Sequence, residues 1–199
     1  MNIAILTFDG FNELDSFIAF GLLNRMKSNG WNVQITCPTA QVTSMNGLTI
    51  DAQQDLEFAN TADAVIFGSG LKTRDIAQDK PLLARLNLNS DRQLIAAQCS
   101  GTLLLATLGL LEGLPACTDL ISKPWIKEAG VEVLNQPFFA KANVATAGGC
   151  LASQYLAAWI LLKLAGLEAA KSAIYYVAPV GEKEASIAHN LAVVEPFLQ

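Results

Sequence analysis

Cys99 is the residue of this sequence best placed by its neighbours to do chemistry. It sits in Gln93-Leu94-Ile95-Ala96-Ala97-Gln98-Cys99-Ser100-Gly101-Thr102, followed by the apolar run Leu103 to Leu111. The first half has the composition of a short buried strand, the second that of a buried helix. Ala97 and Gly101 flank the cysteine two residues away on either side. Small residues there let a strand turn sharply into a helix without side-chain collision, as in the Gly-x-Ser-x-Gly nucleophile elbow. Cys99 then projects into a cleft at the carboxyl end of its strand. The amides of Cys99, Ser100 and Gly101 open the next helix unpaired and carry positive partial charge, which favours the reactive thiolate. The same residues also fit a structural cysteine in an ordinary strand-to-helix joint.

Other chemically capable residues carry weaker signals. Gly68-Ser69-Gly70 and Gly148-Gly149 fit tight turns after strands, with or without a ligand. They lack the Gly-x-Gly-x-x-Gly pattern of a dinucleotide site. Cys150 follows Gly148-Gly149 and can line the same pocket as Cys99; Cys117 and Cys150 also read as small core residues. Asp15 fits an acid in the first turn of a helix. Asp119 reads either as a polar group in the cleft or as a cap residue. Ser100 has no histidine at hand to activate it, and His189, the only histidine, lies in the tail as a solvated or satisfied side chain.

These residues need a scaffold, and the composition describes one. The 199 residues are 52% hydrophobic and 16% charged, with a net charge of −5, which fits one apolar globular domain. No basic run is present to grip a phosphate backbone, so nucleic-acid binding is not expected. The most apolar helix, Leu151 to Ala165, is shorter than the ~20 residues a bilayer requires. Met1 leads directly into a strand-like run without a signal-peptide pattern, so a cytoplasmic protein is expected. The four cysteines show no Cys-x-x-Cys spacing; reduced thiols, no metal and no cofactor are expected.

Along the chain, apolar runs predict strands at 2–8, 31–37, 62–67 and 93–98, with a short one at 116–118 and two small strands within 138–146. Asn46-Gly47 predicts a hairpin within 42–51. Helices are predicted over 13–26, about 75–86, 103–111, 123–129, 150–164 and 168–176, with a peripheral helical tail from 181. Alternating strands and helices give an α/β sheet with helices on both faces. Right-handed crossovers place four strand-end loops on one edge: 9–15, 68–70, 99–101 and 147–150.

The ordered set of motifs resembles the DJ-1/PfpI superfamily over residues 2 to 170. The resemblance rests on Ala97-Gln98-Cys99-Ser100-Gly101 with its apolar helix and Gly109-Leu110-Leu111-Glu112-Gly113. It continues in Phe8-Asp9-Gly10-Phe11 followed by Glu13-Leu14-Asp15, in Phe67-Gly68-Ser69-Gly70, and in Thr146-Ala147-Gly148-Gly149. It implies a single domain over 1–199, related to the class I glutamine amidotransferases, with a flavodoxin-like three-layer sandwich, a mostly parallel sheet and a cysteine nucleophile elbow. It also implies a homodimer. Leu14-Asp15 and Ser100-Gly101 look most similar to the isocyanide hydratase-like branch. That similarity implies a cofactor-free hydratase acting on a small electrophile, an isocyanide giving an N-substituted formamide. Cys99 would attack the isocyanide carbon, Asp15 would carry the proton and activate water, and the Gly70 and Ser100 amides would donate to developing charge. Gly101, Asp119, Gly149 and Cys150 would complete the substrate-binding surface.

One departure from the family pattern stands out. Many members carry a histidine after the nucleophile helix, but here Asp119 occupies that place in Ala116-Cys117-Thr118-Asp119-Leu120. The alternative is therefore a non-catalytic ligand-binding or redox-stress DJ-1-like protein lacking the usual histidine.

Overall fold

The computed structural model describes residues 1–198. Its strands are β1 (Asn2–Leu6), β2 (Asn32–Cys37), β3 (Gln41–Thr43), β4 (Thr49–Asp51), β5 (Gln54–Asp55), β6 (Ala64–Phe67), β7 (Leu94–Gln98), β8 (Phe138–Lys141) and β9 (Val144–Ala147). Its α-helices are α1 (Glu13–Leu23), α2 (Thr73–Gln78), α3 (Lys80–Leu83), α4 (Gly101–Thr107), α5 (Lys123–Glu128), α6 (Ser153–Ala165), α7 (Leu167–Val177) and α8 (Lys183–Val194). Seven strands form one sheet in the order β5-β2-β1-β6-β7-β9-β8, and β3 with β4 forms a separate hairpin. Only β8 runs antiparallel to its sheet neighbour. This is a flavodoxin-like α/β fold.

The period-two alternation of the strands builds two cores. Ile3 and Ile5 of β1, Ala64 and Ile66 of β6, and Ala96 of β7 face one layer with Leu22, Trp159 and Ile160. Ala4 and Leu6, Val65 and Phe67, and Ile95 and Ala97 face the opposite layer with Leu104, Leu105 and Ile126. Strands buried on both faces read as continuous apolar runs, and the central strands of this sheet do so. Trp159, Phe11, Phe67 and Phe138 are the bulkiest fully buried side chains.

Several elements differ from the sequence expectation, each for a local reason. The 75–86 helix is two short helices, because Pro81 cannot continue α2 and Asp79 instead caps α3 by accepting from the Leu82 amide at 3.0 Å. The helix after Cys99 begins at Gly101 and ends at Thr107, just before Gly109 at φ +74°. The helix predicted to Met26 leaves α-geometry at Leu23 and finishes in 3-10 turns to Asn29, stopped by Gly30 at φ +81°. The 116–118 strand reduces to a single parallel bridge from Ala116 to Val133. The tail is helical but not peripheral: Ile187, Asn190 and Val194 of α8 are buried, and Phe197 packs edge-on against Phe138 and Phe139. No helix among the described residues is long and apolar enough to cross a membrane.

Candidate active site

The sheet order reverses at β1, which pairs with β2 on one side and β6 on the other. Such a switch opens a crevice beyond the carboxyl ends of the strands. A cleft of about 280 Å³ lies there. The loops after β1, β6, β7 and β9 reach it with Asn12 and Asp15, Ser69 to Leu71, Cys99 and Ser100, and Gly149 and Cys150. These are the four loops that the strand pattern placed on one edge. The 119–125 segment and Met45 of the hairpin close the sides.

Cys99 makes the elbow. Its φ is +48°, and only Ala142 shares a positive φ among the described non-glycine residues. A left-handed conformation costs a non-glycine residue roughly 1–3 kcal/mol, so the surrounding contacts must hold it. The Cys99 amide, expected to be unpaired, instead donates to Ala147 O at 2.8 Å because β9 runs alongside the elbow, and Thr118 Oγ1 donates to Cys99 O at 2.8 Å. Gly101 lets the turn close: a Cβ there would stand 2.6 Å from Gly68 O. It therefore acts by packing against the neighbouring loop, and it is not among the residues lining the cleft.

Asp15 is fully buried in the first turn of α1. Asn12 caps that helix by accepting from the Leu14 amide at 3.1 Å, which sets the helix entry. Ser69 Oγ donates to Asp15 Oδ2, while Oδ1 has no hydrogen-bond partner. Side-chain donor atoms of Asp15, Cys99 and Cys150 all lie within 4.8 Å of one another. Three such ligands could hold a thiophilic cation, although the spacing of the cysteines in the chain carries no metal-site pattern. Asn12 Nδ2 donates to Cys150 Sγ at 3.3 Å, and Gln98 Nε2 contacts Cys99 Sγ at 3.4 Å while donating to Gly149 O at 2.7 Å.

The electrostatics correct the expectation of a resting thiolate. Burial pushes the Cys99 thiol far up, and the Asp15 charge and hydrogen bond push it further. Burial also raises the Asp15 carboxyl, against the opposing hydrogen bond from Ser69. The partial charge of the short helix α4 is outweighed by desolvation and a neighbouring acid. The Cys99 thiol therefore keeps its proton at rest, with the Asp15 carboxyl beside it strengthening that hold.

The remaining predicted residues fall into distinct places. The Gly70 amide donates to Ser100 Oγ at 3.2 Å, so it is engaged inside the protein. Ser100 Oγ also hydrogen-bonds Thr73 Oγ1 at 2.8 Å and ties the elbow to the β6 loop. Asp119 does both things foreseen for it. It lines the cleft, and its Oδ1 accepts from the Ile121 and Ser122 amides at 2.8 and 2.9 Å. His189 is satisfied by the Tyr155 hydroxyl at 2.9 Å and is not among the cleft-lining residues. Sequence reasoning missed Asn12, Ser69, Gln98 and Trp125 as site residues. Only Asn12 had a readable signal, its place as a polar cap just before Glu13.

The family model for DJ-1/PfpI matches residues 1–163. The chain belongs to the DJ-1/PfpI family. Solved structures agree on the fold. The VC2308 protein superposes with a TM-score of 0.78 at 21% identity, covering 94% of this chain and 97% of that one. Schizosaccharomyces pombe DJ-1 gives 0.76 at 15% identity, covering 90% and 100%. A ThiJ/PfpI family protein from Pseudomonas syringae gives 0.76 at 20% identity, covering 98% and 87%. No curated protein sequence matches this DJ-1/PfpI chain. At these identities the likeness is one of fold, and the chemistry has to be argued from the cleft.

Proposed function

We propose that this DJ-1/PfpI protein is a cofactor-free, cysteine-dependent hydratase that converts a small isocyanide to its N-substituted formamide. The observation that carries the reading is the Cys99 thiol beside a fully buried Asp15 carboxyl that keeps one oxygen unpartnered. A carboxyl fixed by Ser69 on one oxygen and open on the other can pass a proton without moving.

The steps balance as follows. The Cys99 sulfur bonds to the terminal isocyanide carbon, and the thiol proton travels through Asp15 to that carbon, giving a thioimidate. Asp15 then takes a proton from water as its oxygen adds to the C=N carbon, and the nitrogen is protonated. The tetrahedral adduct expels Cys99 sulfur, which recovers its proton, and the formamide leaves. The net change is addition of one water. A thiol that keeps its proton beside a carboxyl suits this sequence because the first step needs both sulfur and proton. The backbone amides at the start of α4 are the donors available to developing negative charge. The cleft walls at Met45, Leu71, Ile121 and Trp125 suit an apolar substituent on the substrate.

Within the same proposal the chain acts as one domain over 1–199, in the cytoplasm, as a homodimer. Light scattering that reports a monomer would remove the last point. The direct test is formamide production from an aryl isocyanide by the wild type and by Cys99→Ala. Turnover that survives in Cys99→Ala at the wild-type rate rejects the reading.

A second reading is binding without turnover. It is favoured by the absence of any histidine among the cleft-lining residues and by the proton-retaining thiol. Thermal stabilisation by isocyanides with no product would select it.

A further inference from the structure

Cys150 has no role in the hydration steps, yet it is the most open thiol of the chain. Cys37, Cys99 and Cys117 are buried and Cys150 only partly so. Burial pushes Cys37 up to about 11 and Cys117 up to about 12, which leaves both inert. Burial and the Asp15 charge raise the Cys150 thiol as well, but it is the more open one, and its Sγ accepts a hydrogen bond from Asn12 Nδ2 at 3.3 Å that opposes the rise. Its sulfur, the Cys99 sulfur and an Asp15 oxygen lie within 4.8 Å of one another.

The backbones that carry the two sulfurs are neighbours. Gln98 pairs with Ala147 in the parallel ladder of β7 and β9, and each cysteine follows its strand within three residues. Gly149, at φ +92°, has nothing within 4 Å of where a Cβ would stand, and its carbonyl is held by Gln98 Nε2 at 2.7 Å, the side chain next to Cys99. The Asp15 Oδ1 atom, buried and unpartnered, is a second and independent feature of this cluster. It is an acceptor able to take the proton that a thiol must lose to attack.

We propose that Cys150 and Cys99 form a peroxide-driven dithiol–disulfide pair, with Cys150 as the sulfur oxidised first. A hydroperoxide, ROOH, delivers one oxygen to the Cys150 sulfur. The S–O bond forms as the O–O bond breaks, giving Cys150 sulfenic acid and ROH. Cys99 then attacks that sulfur. The S–S bond forms and the S–O bond breaks, and the hydroxyl leaves as water with the Cys99 proton relayed by Asp15. The dithiol is oxidised by two electrons and the peroxide reduced by two. A small-molecule dithiol restores both thiols by exchange. Closure of the disulfide keeps either sulfur from passing to the sulfinic state, which thiol reductants do not reverse.

The test reads thiols rather than turnover, so its outcome is separate from that of the hydratase reading. The full chain is treated with one equivalent of hydrogen peroxide, quenched, and mapped by mass spectrometry. The expected result is loss of two hydrogens from the intact mass, linkage of the Cys99 and Cys150 peptides, and full reversal by dithiothreitol. Cys99→Ser should strand the sulfenic acid on Cys150, where dimedone captures it. Cys150→Ser, with its fold checked by circular dichroism, should keep its remaining thiols at the same dose. Oxygen added to Cys99 in the wild type while Cys150 stays free overturns the proposal. So does a dimedone adduct on any residue other than Cys150 in Cys99→Ser.

Discussion

The Asp15 carboxyl and the Cys99 thiol, brought from the first and the central loops of the sheet edge, meet with their donor atoms no more than 4.8 Å apart. Burial raises both groups; Asp15 raises the Cys99 thiol further, while the contact with Cys99 pulls Asp15 back toward its ordinary value. A site of this kind trades resting nucleophilicity for proton control.

The first consequence concerns Asp15→Asn. The amide keeps the shape of the side chain but cannot carry a proton between sulfur, carbon and water. Formamide production is expected to fall by about 10²–10⁴-fold, the usual worth of a positioned acid–base group. The loss should lie in kcat, with KM little changed, as steady-state kinetics will show.

The same substitution has an opposite effect on stability. Burial raises the Asp15 pKa above its ordinary value of 3.8. Between the unfolded and the raised folded value the folded chain binds the extra proton. Stability from this group is therefore full below the unfolded value and is lost as pH rises through the folded value. Each unit of separation is worth about 1.4 kcal/mol. Asp15→Asn should flatten that decline and melt above the wild type at neutral and alkaline pH, measured by thermal scans across pH.

Ser100→Ala tests the tie between the elbow and the β6 loop. It removes the acceptor for the Gly70 amide and the partner of Thr73. A buried donor left unmatched costs about 1–3 kcal/mol. Denaturant titration should show that loss, with Cys99 alkylation becoming faster as the loop loosens.

Gly101→Ala tests the close approach of the two loops. The added methyl would meet Gly68 O at 2.6 Å, and backbone cannot swing aside as a flexible side chain does. Overpacking of this type costs about 1–3 kcal/mol. The variant should be destabilised by that amount and should lose hydration activity, because Cys99 moves with the turn.

Much of this fold is legible in the sequence. The central strands are apolar on both faces, so Ile3 to Leu6, Ala64 to Phe67 and Leu94 to Gln98 identify themselves. The elbow was legible because Ala97 and Gly101 are small at the two positions that must be. The resting state of Cys99 was not legible. It depends on how deeply the fold buries Asp15, and that burial comes from α6 and the β6 loop, distant in sequence. Ser153 Oγ, for instance, donates to Asp15 O at 3.0 Å from the far end of the chain. The tail was misread as peripheral because its apolar residues, Ile187, Leu191 and Val194, are sparse until Phe197 is seen against β8. Cys150 stood out only as a residue after two glycines; its meeting with Cys99 needs the β7–β9 register.

The most direct measurement is the pH dependence of Cys99 alkylation by iodoacetamide, followed by peptide mass spectrometry in the wild type and in Asp15→Asn. Removing the acid should lower the apparent pKa of Cys99 and speed its alkylation at neutral pH. Identical profiles in the two proteins would contradict the proton-keeping thiol beside a carboxyl on which the account stands.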